Sequence, residues 1–209
     1  RRNRNTRVFG NAFARVDLTE AIWTNSSLGI NAGEGASRGW TPIRPEDSEP
    51  SLVNGINESN NYFTSWTITK TLNLQQTFAE QHNLSLLAGH EAIHSRSRGI
   101  SGSMNGLVST DVNARYIQAA LGDPATRNVG SSGGLSALLS WFGKADYNFA
   151  GRYYLSGTLR HDGPTRLGEA FGWGTCRSFS LGWRVSEEPR MAANNFITNL
   201  MLRAGWGIT

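Results

Sequence analysis

The sequence lacks the features on which disulfide-stapled, metal-bound or helical membrane proteins are built. One cysteine, Cys176, stands among 209 residues. It excludes an intramolecular disulfide framework and a Cys-rich metal knuckle, and it does not identify the compartment. No run approaches the roughly 18 consecutive apolar residues that a membrane helix needs, so a bilayer could be crossed only by a β-barrel. Charged residues make up 17%, below the roughly 25% of soluble domains. The formal charge is +4, but Arg1, Arg2, Arg4 and Arg7 cluster at the start, and no nucleic-acid surface is read from it.

Glycine and aromatic residues are what the chain has in quantity: 24 Gly, 7 Trp, 9 Phe and 5 Tyr. This composition leans toward alternating β-structure and away from disorder. A mean hydropathy of −0.38 is compatible with a membrane barrel, because each barrel strand is apolar on one face only.

Residues 62 to 78 give the clearest local signal. Tyr62, Trp66, Ile68, Leu72, Leu74 and Phe78 fall on even positions, with Ser65, Thr67, Thr69, Thr71, Asn73, Gln75 and Thr77 between them. This period of two predicts a strand about 55 Å long, well beyond the usual strand of a globular domain. The alternation recurs over 136–149, where Leu139, Trp141, Ala145, Tyr147 and Phe149 oppose Ser140, Lys144, Asp146 and Asn148. It recurs again over 152–162, 178–185 and 196–208. Weaker strands are expected at 7–17, 23–31 and 83–96, making eight. Short turns at 18–22, 79–82, 150–151 and 187–195 then alternate with long connections at 32–61, 97–135 and 163–176, as an up-and-down membrane barrel requires. A short helix is expected over Val112–Leu121.

His90, Glu91 and His94 spell H-E-x-x-H, the one motif that would make the protein a zinc peptidase. On a helix the two imidazoles stand about 6 Å apart and can share a metal. On a strand they stand about 13 Å apart and cannot. The residues leading in, Leu84 to Gly89, read as a strand, and no third histidine follows at metzincin spacing. Gly33, Gly35 and Gly39 miss the spacing of a phosphate loop and read as a surface loop. Asp162 and Glu169 form no supported glycosidase pair; solvation or pairing with Arg160 and Arg166 accounts for them.

Lys144, Asp146, Arg160, Arg184 and Arg203 lie on the polar faces of their strands. A charge on the lipid face costs about 2 to 4 kcal/mol at the midplane, so these side chains are expected to line the lumen as a hydrated wall or a substrate contact. Lys70 breaks the pattern on the apolar face, where a long side chain can snorkel to the interface. Trp40, Tyr116 and Trp173, in expected loops, are candidates for stacking on a ligand such as a sugar ring.

Several motifs occur in an order that resembles the SusC/RagA-like TonB-dependent transporters. They are Asn61-Tyr62-Phe63, Leu87-Ala88-Gly89-His90-Glu91, Trp141-Phe142-Gly143-Lys144-Ala145-Asp146-Tyr147, Arg160-His161-Asp162-Gly163-Pro164-Thr165-Arg166-Leu167-Gly168, Ser178-Phe179-Ser180-Leu181-Gly182-Trp183-Arg184 and Leu202-Arg203-Ala204-Gly205-Trp206-Gly207. The resemblance implies an all-β, antiparallel, transmembrane up-and-down barrel of 22 strands with long extracellular loops. Residues 1–209 would supply about eight of those strands, as part of one barrel domain whose plug and closing strands lie elsewhere. It also implies an outer-membrane location, a SusD-like surface lipoprotein as partner, coupling to the TonB complex, and import of oligosaccharides or peptides without cofactor or catalysis. The chain departs from the family pattern at Cys176-Arg177, where an aromatic and a proline are usual, and at Arg190. Both termini read as cut. The other readings are an independent eight-stranded barrel with a structural or adhesive role and, third, the zinc peptidase.

Overall fold

The computed structural model describes residues 2–46, 48–108, 111–119, 124–164, 172–191 and 196–208. Eight strands follow in chain order: β1 (Arg2–Asp17), β2 (Ile22–Thr41), β3 (Gly55–Phe78), β4 (His82–Asn105), β5 (Asn128–Phe149), β6 (Tyr153–Pro164), β7 (Gly174–Arg184) and β8 (Met201–Ile208). They form one sheet in which spatial order equals sequence order, from β1 through β8. Each strand therefore pairs with its chain neighbours, the up-and-down meander that the alternating turns predict. Among the described residues no helix is long and apolar enough to cross a membrane.

The strands are longer than the period of two indicates. β3 and β4 each run for 24 residues, about 80 Å of chain at 3.4 Å per residue, where a tilted membrane strand needs only about 9 to 11 residues. The expected loop 32–61 shrinks to 42–54, and 97–135 shrinks to 106–127. Trp40, Gly33, Gly35 and Gly39 accordingly belong to β2 rather than to a loop. The added segments are rich in Gly, Ser, Asn and Arg, with only scattered apolar residues such as Trp40, Ile56, Ile100 and Met104, so apolar alternation could not report them; side-chain bonds between strands help to hold them. Ser37 donates to Asn3 at 2.9 Å, Asn60 donates to Glu34 at 2.9 Å, and Arg38 pairs with Glu58 at 2.7 Å.

Two expectations at the ends of elements are corrected. The connection 187–195 grows to 185–200, opening with a 3-10 turn at Val185–Glu187, so Phe196, expected in the last strand, lies outside it and is 94% exposed. Connection length therefore does not separate cleanly by side at the last hairpin. The expected helix at Val112–Leu121 is replaced by two 3-10 turns, Val112–Ala114 and Ile117–Ala119, while Ala120 and Leu121 fall outside the described residues. Asp111 caps the first turn by accepting from the Asn113 amide at 2.9 Å.

The chain divides into two compact units. The first comprises Arg1–Gly10, Ile30–Trp66 and Ser95–Leu135. Its small core is Ile56, Met104 and Leu107, with Trp40 and Ile117 packed against it. Asn54 holds the connection after β4 as a strand partner would: its Nδ2 donates to the Leu107 carbonyl at 2.9 Å and its Oδ1 accepts from the Leu107 amide at 2.6 Å.

The second unit comprises Asn11–Gly29, Thr67–His94 and Ser136–Thr209. Its strands pair antiparallel in a register that sets Trp141 opposite His161, Tyr147 opposite Leu155, Leu155 opposite Leu181, and Leu181 opposite Ala204. All of these lie on one face. Asp146 opposite Ser156, and Ser156 opposite Ser180, lie on the other.

Candidate functional site

In the second unit the apolar face is left uncovered, while parts of the polar face are buried. Bulky apolar residues on one face stay open: Leu155, Leu159, Phe179, Leu181, Trp183, Leu202 and Trp206 are each at least 40% exposed. On the opposite face Ser140 is fully buried and Asn73 nearly so. A soluble sheet hides its apolar face and wets its polar one. The reverse arrangement is that of a barrel wall with lipid outside and water inside.

Aromatics mark both edges of the apolar band. At the short-turn end, His82 packs against Phe149 with ring centroids 4.8 Å apart, and Phe149 stacks on Tyr153 at 6.2 Å. At the other, His90 packs against Trp141 at 5.1 Å. From Phe149 back to Trp141 along β5 is about 27 Å. With a tilt of roughly 40°, the band is about 20 Å tall, near the height of the apolar belt of outer-membrane barrels.

The charged residues form two groups on the polar face. Arg160 on β6 is the centre of the first. Its Nη2 donates to Glu91 Oε1 at 3.0 Å and to Ser140 Oγ at 2.9 Å, and its Nε donates to Asp162 Oδ1 at 2.8 Å. Thr69 donates to the other Glu91 oxygen at 3.2 Å, and the Phe142 ring lies 5.6 Å beneath the guanidinium. The second group lines a depression of about 520 Å³ that includes Asp146, Tyr154, Arg184 and Arg203. Asp146 accepts from Lys144 at 2.8 Å and from Ser156 at 2.6 Å. Arg184 lies 5.6 Å over the Tyr154 ring, and Arg203 donates from Nε and Nη2 to Met201 Sδ at 3.3 and 3.2 Å.

The stacking candidates are already engaged. Trp173 stacks on His161, 4.8 Å between centroids and 11° from parallel. In the first unit, the Arg115 guanidinium covers Trp40 at 4.4 Å and that of Arg38 covers Tyr116 at 5.0 Å. Arg38 also donates to the Arg115 carbonyl. These contacts clamp the connection after β4.

The H-E-x-x-H residues lie on β4, an extended strand. Glu91 points to the polar face and His90 to the apolar one, and strand spacing holds His90 and His94 about 13 Å apart, too far to share a metal. Among the described residues no group of three His, Cys, Asp or Glu could hold a metal ion. Glu91, read in the sequence only as part of that motif, is instead a partner of Arg160 across 69 residues. Ser140 and Phe142 were missed because they carry no charge. Glu188 was missed because it lies in a turn. It accepts from Tyr153 Oη at 2.5 Å and Trp183 Nε1 at 3.0 Å, and these bonds, with the charges of Arg152 and Arg190, hold its carboxyl below the usual carboxylate range.

An ordered antiparallel meander with lipid-type and lumen-type faces defines a segment of membrane β-barrel wall. Comparisons place that segment more closely. No protein-family model matches the chain. It is 40% identical over 85 residues to the TonB-dependent receptor SusC of Bacteroides thetaiotaomicron, covering 41% of this chain and 8% of that protein. It is 27% identical over 199 residues to the TonB-dependent receptor P39 of Formosa agariphila, covering 94% of this chain and 19% of that protein. The RagAB peptide transporter superposes with a TM-score of 0.89 at 19% identity, over 98% of this chain and 22% of that one. At that identity the superposition speaks for the fold. The chain spans less than a quarter of the length of each relative. These likenesses bear out the resemblance to SusC/RagA-like TonB-dependent transporters that the motifs carry.

Proposed function

We propose that residues 1–209 form part of the single barrel domain of an outer-membrane active importer that takes up oligosaccharides or peptides. In this reading the chain performs no covalent chemistry. Its apolar face holds the protein in the bilayer, and its polar face borders the transport path. A SusD-like surface lipoprotein is the partner at the extracellular side, and the TonB complex supplies energy through a part of the protein outside this chain.

The observation that carries the reading is the pairing of an exposed apolar face with a charged, internally bonded polar face on the same strands. The sheet order supports a larger wall over an independent eight-stranded barrel, since β1 and β8 stand at opposite edges of the sheet. A closed barrel pairs its first and last strands and leaves no edge. Exposed edges are continued by neighbouring strands in a larger wall.

Growth tests this directly. A strain deleted for the full-length gene is expected to lose growth on one class of oligosaccharide or peptide as sole nutrient, and to regain it with the wild-type gene only when TonB is present. Unchanged growth on every oligosaccharide and peptide, or restoration without TonB, would overturn active import.

A further inference from the structure

Two phenylalanines stand on a face that is otherwise suited to water. In the first unit, strand parity and the bonds between strands define this face: Ser37 bonds Asn3, Arg7 bonds Asn31, and Ser65 bonds Ser95. Its strand residues are Asn, Ser, Thr and Gly, with three exceptions, Arg7, Phe9 and Phe63. Among the described residues its strands carry no carboxylate. Asn60 bonds Glu34 and Arg38 pairs with Glu58 on the opposite face. Phe9 is 81% exposed and Phe63 is partly exposed. A bare aromatic ring in water is unfavourable until something apolar covers it.

The two rings frame a polar cluster. Phe63 reaches from β3 across to β2 and rests on Gly33, where a Cβ would come within 2.5 Å of the ring. The Arg7 guanidinium lies 5.9 Å from the centre of that ring, and its Nε donates to Asn31 Oδ1 at 2.9 Å. Phe9 follows Arg7 by two residues on the same face of β1, so Arg7 and Asn31 stand between the rings. Strand spacing sets the Phe9 and Phe63 backbones roughly 12 Å apart. Beside Phe63, the missing side chain of Gly35 leaves room for two amides: the Oδ1 atoms of Asn61 and Asn5 lie 2.6 and 3.1 Å from where its Cβ would be. The Ser65 and Ser95 hydroxyls, 2.8 Å apart, follow along β3 and β4.

We propose that Phe9 and Phe63 are the stacking platforms of a binding site for a neutral oligosaccharide. A pyranose ring has a face of C–H groups and a rim of hydroxyls that both donate and accept. An aromatic face covers the C–H groups, and amides and serine hydroxyls, which also donate and accept, bond the rim. A charged peptide gains little here. No carboxylate answers its cations, and the one cation of the face, Arg7, is already bonded to Asn31. The inference rests on the importer reading and narrows its substrate to neutral oligosaccharides.

Binding to the purified full-length protein in detergent tests it. The probes are neutral oligosaccharides of glucose, mannose, galactose and xylose, uronic-acid oligosaccharides, and peptides of matched length. Folding of each variant is checked first by heat-modifiable migration. Binding needs no energy source, so a protein that binds but imports nothing would refute the importer reading and leave the site standing. The wild type is expected to bind at least one neutral oligosaccharide at least about fivefold more tightly than any charged oligosaccharide or peptide. Phe63→Leu, which keeps an apolar side chain over Gly33, and Phe9→Leu should each weaken that binding by about fivefold or more, the usual worth of an aromatic contact. Phe63→Tyr, which keeps the ring, should stay within about twofold of the wild type. Tightest binding of a peptide or a uronic-acid oligosaccharide would overturn the proposal. So would no binding of any neutral oligosaccharide, or undiminished binding in either leucine variant.

Discussion

Arg160 Nη2 lies 3.0 Å from Glu91 Oε1, joining two strands through residues 69 positions apart in sequence. The pair is partly exposed, with side-chain accessibilities of 38% and 23%, so solvent screening limits its worth to about 1 kcal/mol. A double-mutant cycle with Glu91→Gln and Arg160→Gln in the full-length barrel should give a coupling of that size in denaturant unfolding. A coupling near zero would mean that Asp162 and Ser140 hold the guanidinium without Glu91.

Gly89 lies directly under the Phe142 ring. A Cβ there would come within 2.6 Å of the ring and 3.0 Å of the Lys70 carbonyl. Gly89→Ala should therefore destabilise the barrel by about 1 to 3 kcal/mol, the usual cost of overpacking. Gly157→Ala, with open space around its Cβ, should be tolerated. Unfolding midpoints of the two variants compare the positions directly.

The β3–β4 turn holds Ala79 and Glu80 at φ of 48° and 58°, a left-handed conformation that suits glycine or asparagine better than either. Glu80→Gly should raise stability by about 0.5 to 1 kcal/mol, seen as a higher unfolding midpoint. A lower midpoint would show that the Glu80 side chain contributes more than the backbone strain removes.

Glu188 carries a pH dependence of known sign. Hydrogen bonds from Tyr153 and Trp183, then the charges of Arg152 and Arg190, lower its folded-state pKa. Its contribution is thus fully present above the ordinary carboxylate pKa of about 4.3 and is lost as pH falls through the lowered value. Wild type should be more stable than Glu188→Gln at pH 7, and the gap should close in acid. A gap independent of pH would contradict the ionised hub.

The sequence made some of this legible and hid the rest for identifiable reasons. The apolar period of two located β3, and the core portions of β5 to β8, because lipid and water impose opposite demands on adjacent residues. It missed Gly55–Asn61 and residues 32–41, where apolar residues such as Ile56 and Trp40 are too sparse to alternate and Asn, Ser and Arg side chains bond across strands. Arg160, Lys144 and Asp146 were placed on the polar face by parity alone. Asp162 was legible as a neighbour of Arg160, but Glu91 and Ser140 were not, because register across several hairpins decides that they meet it. The same parity exposed Lys70 as an exception.

The central claim is that alternate residues of one strand meet lipid and water. In a Cys176→Ser background of the full-length protein in bilayers, bimane placed singly at Leu155, Ser156, Ser180 and Leu181 reports each environment. The account predicts quenching by bilayer-borne nitroxide at Leu155 and Leu181, and by a water-soluble quencher at Ser156 and Ser180. Quenching by the aqueous reagent alone at all four positions would contradict it.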